Sequence, residues 1–145
     1  MLFANLMFGT FVISGTVMIH TAGLVFLTRW MNWIVRWFRL HRHSFAKAVA
    51  MVTTVLGLFF LHTIEVWVWA IADVSLGVVD NLETALYFST VTFSTLGYGD
   101  ITPLATWRVF AALEAVNGFI LIGWSTAYLV AASTRHGPFR IGEHF

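Results

Sequence analysis

Residues 94–100 read Ser-Thr-Leu-Gly-Tyr-Gly-Asp, and the segment around them decides the fold. They lie inside a stretch, Asp73 to Thr102, that is too polar and too interrupted by glycine to cross a membrane. Long apolar runs flank this stretch on both sides. Irregular backbone survives at membrane depth only where protein buries it or where it lines a water-filled path. We therefore expect a re-entrant loop that enters the membrane and returns to the same side.

A short helix is predicted immediately before the quoted residues. Asp80 and Glu83 have the spacing of a capping box, which predicts a helix over 81–94. About fourteen residues extend only ~20 Å at the standard helical rise, which is less than the ~30 Å of a hydrocarbon core. The helix must therefore stop midway. After it, Gly97 and Gly99 allow the backbone to adopt positive φ without a steric penalty.

The composition is that of an integral membrane protein. The chain has 145 residues and no cysteine, with 59% hydrophobic and only 10% charged residues. A soluble domain of this size could not hide so many apolar side chains. We predict an all-α membrane fold with spans over 1–28, 46–72 and 105–133. The net charge of +1 provides no basic domain for phosphates, so we expect no nucleic-acid partner.

The distribution of basic residues predicts the orientation. Five of the eight Lys and Arg residues lie between the first two spans: Arg29, Arg36, Arg39, Arg42 and Lys47. Because basic residues stay on the cytoplasmic side, we expect the 29–45 linker and the 134–145 tail inside and the N-terminus outside the cell (inner) membrane. The first span begins without Lys or Arg, which favours a retained helix over a secretory signal.

The linker over 29–45 has an amphipathic helical pattern, with tryptophans on one side and arginines on the other. Such a helix lies in the headgroup plane of the inner leaflet, where its arginines would contact anionic lipid: Arg29, Arg36, Arg39 and Arg42. The three-residue spacing of the last three arginines also permits a voltage-sensor reading. We favour the anchor, because a sensor carries its arginines within a span.

The quoted segment closely resembles the selectivity filter of potassium channels, commonly written TVGYGD. The order of span, short helix, filter and span over 46–133 resembles the pore domain of the bacterial members of that superfamily. The divisions are an outer helix (46–72), a pore helix (81–94), a filter (95–100) and an inner helix (105–133). The alternative is a glycine-rich external turn, which the six-residue match disfavours.

The resemblance implies a homotetramer, because each chain offers one filter and the pore needs four. It places K⁺ at the backbone carbonyls of Thr95, Leu96, Gly97 and Tyr98, with the Thr95 hydroxyl at the inner end and Gly99 completing the filter. Carbonyl rings of this kind replace the hydration water of the ion. We expect no cofactor besides the permeant K⁺.

Three further residues are implied as braces of the filter: Tyr87, Phe88 and Asp100. We expect the side chains of Leu96 and Tyr98 to hold the strand against the short helix. The sequence departs from common members of the family in having Leu96 in place of valine. Phe88 cannot donate a hydrogen bond, and Val91 offers no carboxylate to pair with Asp100. The filter should therefore be braced more by packing than by hydrogen bonds.

Ionisable residues within the spans are costly in lipid and should face protein or water. For His62, Glu65 and Glu114 three readings stay open: a structural polar contact, a protonation switch that gates the pore, or a metal site formed by all three. His20 reads as a helix-contact residue. The glycines of the third span, Gly118 and Gly123, are candidate hinges or close-packing positions.

The leading interpretation is a passive potassium-selective channel rather than an enzyme. No set of nucleophile, base and orienting group is visible. The alternatives are a weakly selective cation channel and a non-conducting membrane subunit that retains the channel fold. The gating stimulus is open: four histidines near the inner mouth are either pH sensors or solvated side chains, namely His41, His43, His136 and His144.

Overall fold

The long apolar runs of the chain form the long helices of the structure. The computed structural model describes residues 1–37 and 44–136, with the side chains of 35–37, 44–46 and 135–136 left out. It contains the helices α1 (Leu2–Trp37), α2 (Ser44–Leu76), α3 (Leu82–Phe93) and α4 (Arg108–His136), with a 3-10 turn over Ala105–Trp107. The described residues contain no β-strand.

Three segments are long and apolar enough to cross a membrane: Leu2–Ile34, Lys47–Leu76 and Ala105–Thr134. They belong to α1, α2 and α4. By contrast, α3 has 12 residues, which extend only about 18 Å. The predicted all-α architecture, with three spans and a short helix between the second and third, is confirmed.

The boundaries differ from the predicted ones in α1. This helix continues through Arg29 to Trp37, so no break separates the first span from the predicted 29–45 interfacial segment. No glycine or proline occurs between Leu24 and Trp37 to interrupt the backbone hydrogen bonds. Trp30 and Trp33 lie exposed on this extension. The remaining predicted lipid contacts Arg39 and Arg42, together with His41 and His43, lie outside the described residues.

The end of α2 also differs, because the helix continues past the predicted residue 72 to Leu76. Asp73, which the sequence assigned to the external loop, is therefore helical and fully buried. Gly77, with φ of 68°, ends the helix. The Gly77 amide donates to Val74 O (3.1 Å) and the Val78 amide to Asp73 O (2.8 Å). This is a Schellman motif, which requires a left-handed residue that glycine adopts readily.

The predicted capping box at α3 is wrong in its residues. The N-cap is Asn81 rather than Asp80, and its Oδ1 accepts a hydrogen bond from the Thr84 amide at 2.9 Å. The helix is one residue shorter at each end than the predicted 81–94. Asparagine and aspartate cap helices about equally well, so two adjacent candidates cannot be separated from the sequence alone.

α1 packs against α2 and α4 of its own chain. Gly23 and Gly57 permit the contact with α2: a Cβ added at Gly23 would lie 2.5 Å from Leu61 Cδ1, and one at Gly57 would lie 2.7 Å from Leu27 Cδ1. Small residues allow membrane helices to approach in this way. Toward α4, Asn117 Nδ2 donates to Thr16 Oγ1 at 2.8 Å. The N-terminal helix is thus part of the same helical unit as the pore segment.

Asn5 of α1 caps the start of α4 with its side chain. Its Nδ2 donates to Thr106 O at 2.9 Å, and its Oδ1 accepts from the buried Phe110 amide at 2.9 Å. The first four amides of a helix have no partner within the helix. Asn5 therefore satisfies one of these donors from a different helix, over a separation of 105 residues.

We predict that Asn5→Ala destabilises the protein by about 1–3 kcal/mol, because it leaves the buried Phe110 amide without an acceptor. The measurement is thermal unfolding in detergent. Ser14→Ala is the matched control, since the exposed Ser14 hydroxyl bonds only to Thr10 O within α1. Equal midpoints for the two variants would contradict the prediction.

Candidate functional site

Residues 94–100 follow α3 as an irregular extended segment, called the strand below although it forms no β-ladder. Backbone hydrogen bonds fix it to the end of that helix. The Ser94 amide donates to Thr90 O at 3.2 Å, and the Thr95 amide to Thr92 O at 2.9 Å. Two residues further, the Gly97 amide donates to Val91 O at 3.0 Å. The last carbonyls of α3 are thereby satisfied, and the strand is held directly beyond the helix C-terminus, where the helix dipole favours a cation.

Left-handed backbone recurs at every second residue of this strand. The φ angles are 61° at Thr95, 54° at Gly97 and 77° at Gly99. The two glycines adopt positive φ as the sequence predicted. Thr95 was not predicted, and a β-branched residue in this region costs on the order of 1–3 kcal/mol. An alternation of this kind lets successive carbonyls turn toward the same side of a strand.

The side chains between these positions are largely uncovered. Leu96 is 54% exposed and Tyr98 is 68% exposed. The expectation that they hold the strand against the short helix stays a prediction, since one chain alone leaves both side chains largely uncovered. Two large apolar side chains on an irregular strand need a covering surface at membrane depth, and the same chain does not provide it.

Of the three predicted braces, two contact each other. The Tyr87 hydroxyl donates to Asp100 Oδ2 at 2.7 Å, which joins α3 to the far end of the strand. This hydrogen bond lowers the pKa of Asp100 and raises the pKa of Tyr87. Phe88 is only 4% exposed and belongs instead to the buried core around Trp69 and Phe110. Its bracing of the filter stays a prediction.

The beginning and end of the pore segment meet. The Leu104 amide, just before the 3-10 turn, donates to Val78 O, just after α2, at 3.5 Å. Both ends of the 78–104 segment therefore lie together, as a loop that returns to its starting side requires. The chain runs from α2 through α3 and the strand into α4.

Gly118 lies where α4 passes the C-terminal end of α3. A Cβ added there would overlap the backbone carbonyl of Phe93, whereas a Cβ added at Gly123 would meet nothing within 4 Å. The close-packing reading of Gly118 therefore has a direct geometric basis. A hinge at either glycine stays a prediction.

Among the described residues, His62 and Glu65 form a potential ligand group with His20, and Glu114 is not part of it, contrary to the prediction. The Ser89 hydroxyl of α3 donates to Glu114 Oε1, and both residues are fully buried. The second oxygen of Glu114 has no hydrogen-bond partner among residues 1–37 and 44–136. Glu114 thus joins α4 to the buried side of the short helix.

The partner of His62 and Glu65 is His20 of α1. Glu65 Oε1 lies 2.8 Å from His20 Nδ1, and Glu65 Oε2 lies 2.8 Å from His62 Nδ1. The cluster continues to α4, where His62 Nε2 lies 2.9 Å from Ser125 Oγ. The register of α1 against α2 cannot be read from the sequence, so nothing in it indicated that these histidines share a carboxylate.

Three spanning helices with a re-entrant helix and strand between the second and third define a pore-loop membrane protein. Residues 49–135, more than half of the chain, match the protein family described as "Ion channel". The chain belongs to this ion channel family and is a multi-pass membrane protein. The family match begins within α2 and covers α3, the strand and α4, but not α1.

A shorter segment is similar to a curated protein. Over 40 residues the chain is 45% identical to Protein LctB of Bacillus caldotenax. The aligned part covers 28% of this chain and 30% of that protein. No solved structure matches the chain.

We predict that Gly118→Ala lowers the stability by about 1–3 kcal/mol, because the added methyl group overpacks the contact with the Phe93 backbone. Gly123→Ala is the matched control and should be neutral or slightly stabilising, since alanine favours the helix. Thermal unfolding of both variants is the measurement. A pair of variants with the same midpoint would refute the close-packing role.

We predict that Tyr87→Phe raises the pKa of Asp100, because the hydroxyl that favours the carboxylate is lost. In the unsubstituted protein the pair stabilises the folded state above the unfolded-state pKa of Asp100, and this contribution disappears as the pH falls through the lowered folded-state pKa. NMR titration of the Asp100 carboxyl carbon is the measurement. Tyr128→Phe, which removes the hydroxyl bonded to Thr28 Oγ1, should leave that titration unchanged.

Proposed function

We propose that the protein is a potassium-selective channel that conducts K⁺ passively through a homotetrameric pore. The observation that carries the proposal is the positive φ at every second residue of the strand: Thr95, Gly97 and Gly99. The strand lies beyond the C-terminus of α3, a short helix with one side buried. The TLGYGD sequence of this strand resembles the filter of the bacterial potassium channels.

The chemistry of the ion explains why this geometry suits potassium. K⁺ passes a filter only when oxygens replace its hydration shell, and rings of backbone carbonyls do this in potassium channels. We assign these oxygens to the carbonyls of Thr95, Leu96, Gly97 and Tyr98 and to the Thr95 hydroxyl. Each chain contributes one strand, so four copies around a common axis complete the rings.

The uncovered strand supports assembly from several chains, because lipid cannot satisfy the polar groups of irregular backbone at membrane depth. The third span also exposes large apolar residues, which suit contact with lipid or with a neighbouring copy: Val109, Val116, Phe119, Ile120, Ile122, Trp124 and Val130. A neighbouring copy that covered the strand would hold its carbonyls toward the shared axis. We assign the inner cavity to α4, the helix that directly follows the strand.

We further propose the cell (inner) membrane as the location, with the N-terminus outside and the C-terminus in the cytoplasm. The support is the positive-inside distribution of Lys and Arg in the sequence. In this orientation Tyr87 and Asp100 lie at the outer mouth. The extension of α1 that carries Arg29 and Arg36 then lies at the inner leaflet, where anionic lipid is a partner.

We expect a reversal potential near the potassium equilibrium value when the purified protein is reconstituted between opposed potassium and sodium gradients. Gly97→Ala should abolish selective conduction, because a Cβ disfavours the left-handed backbone on which the carbonyl ring depends. Gly77→Ala is the matched control, since Gly77 also has positive φ and open space around it but lies outside the strand.

The outcomes separate the candidate functions. A reversal potential near zero would indicate a weakly selective cation channel. Silence from a folded, assembled protein would indicate a non-conducting subunit. Loss of selectivity in both glycine variants would show that the effect of Gly97→Ala comes from general destabilisation rather than from the filter.

A further inference from the structure

The polar cluster of His20, His62 and Glu65 joins α1 to α2 and has no role in the proposed conduction path, although the His62 ring lies 5.9 Å from that of Phe93 at the end of α3. His20 and Glu65 are fully buried, and the His62 side chain is 19% exposed. Two imidazoles share one carboxylate: each Nδ1 lies 2.8 Å from a different oxygen of Glu65. We propose that His20, His62 and Glu65 form a binding site for one transition-metal ion of the Zn²⁺ class.

The donor set selects the class of metal. Two imidazole nitrogens and one carboxylate oxygen suit Zn²⁺ and its neighbours Co²⁺, Ni²⁺ and Cu²⁺. Ca²⁺ and Mg²⁺ prefer sets composed of oxygen, and K⁺ is served by carbonyl rings. Three protein ligands leave a fourth tetrahedral position for water.

The distances are compatible with a single ion. One ligand atom from each of the three residues lies within 4.8 Å of the other two. Zn–N and Zn–O bonds of about 2.0–2.2 Å separate tetrahedral ligands by roughly 3.4 Å. An ion therefore needs the two 2.8 Å contacts to open by about half an ångström.

Neighbouring groups orient the two rings. Ser125 Oγ lies 2.9 Å from His62 Nε2, which leaves Nδ1 of that ring facing the carboxylate. The centroid of the His20 ring lies 5.2 Å from that of Trp124, and 5.5 Å from that of His62. A metal-bound histidine usually donates its second ring N–H to an outer acceptor, and the Ser125 hydroxyl oxygen is placed to accept it. The three ligands thus come from α1 and α2, and the neighbouring residues that orient them come from α4.

The groups of the chain do not satisfy the cluster by themselves. His20 Nε2 is buried without a hydrogen-bond partner among the residues that the structure describes. A buried polar atom without a partner is unusual enough to indicate an additional water at Nε2, whereas the proposed ion binds at Nδ1 on the other side of the ring. In addition, a carboxylate enclosed within the spans needs a compensating charge, and a divalent cation provides one.

The cluster borders a mostly apolar groove beside α2. His62 lines a groove of about 540 Å³ between α2, α3 and α4, together with the polar side chains of Thr63 and Ser125. Bound metal would tie α1, which lies outside the family match, to α2, which lies mostly within it. The proposed role of the metal is therefore to attach the N-terminal helix to the rest of the chain. This proposal does not depend on whether the pore selects potassium.

The test uses the full chain, without a purification tag that contains histidine, in detergent. A background variant first removes the other four histidines as His41→Gln, His43→Gln, His136→Gln and His144→Gln, so that adventitious sites do not contribute. Equilibrium dialysis against Zn²⁺ should give one ion per chain. Co²⁺ in its place should show the intense visible absorption of a tetrahedral complex.

Two ligand substitutions and one substitution of a supporting residue test the site in that background. His20→Gln and Glu65→Gln should each weaken Zn²⁺ binding at least about tenfold, and Ser125→Ala, which keeps all three ligands, should weaken it about tenfold while retaining one ion per chain. Lower pH should also weaken binding, because protons compete for the imidazoles.

Two results would overturn the site: a folded background variant that retains no Zn²⁺ at neutral pH, or unchanged binding after both His20→Gln and Glu65→Gln. The first result depends on none of the ligand substitutions, so misfolding of those variants cannot obscure it. Because metal binding is measured without ion flux, a failure here is distinguishable from a failure of the potassium proposal.

Discussion

The structure depends on the requirement that backbone polar groups at membrane depth find partners without bulk water. Between α2 and α4 the chain abandons continuous helix, and each departure from helical geometry is accompanied by a specific hydrogen bond. The Schellman motif at Gly77 closes α2, Asn81 caps α3, and the Gly97 amide uses a carbonyl of the last turn of α3. The irregular strand is consequently held in place where an unsupported loop would be excluded.

Polar side chains inside the helical unit face a related requirement, because they too must find hydrogen-bond partners away from water. Asn5 caps a helix that begins 103 positions later, Asn117 reaches Thr16, and Glu114 accepts from Ser89 of the short helix. Each joins two helices that lipid alone would not hold together, since the hydrophobic effect is weak between apolar helices in a bilayer. The N-terminal helix is thereby integrated with the ion channel segment, although the family match does not include it.

Several features were readable in the sequence because they depend on local chemistry. Apolar runs of spanning length predict spans, a short capped segment predicts α3, and paired glycines predict positive φ. The strain at Thr95 was missed because no local rule places a β-branched residue there. Leu96 and Tyr98 were expected to hold the strand against the short helix; in one chain both side chains are largely exposed, and only another surface can cover them.

By itself, the sequence determined the number of spans and the presence of a re-entrant segment. Through the TLGYGD motif it also indicated membership of an ion channel family. Periodicity and hydropathy act within one segment, so they suffice for such conclusions. Only the tertiary structure decided that His20 joins His62 and Glu65, that Glu114 pairs with Ser89, and that Gly118 contacts Phe93. These contacts depend on the depth and rotation of one helix against another, which side-chain packing sets and no single segment encodes.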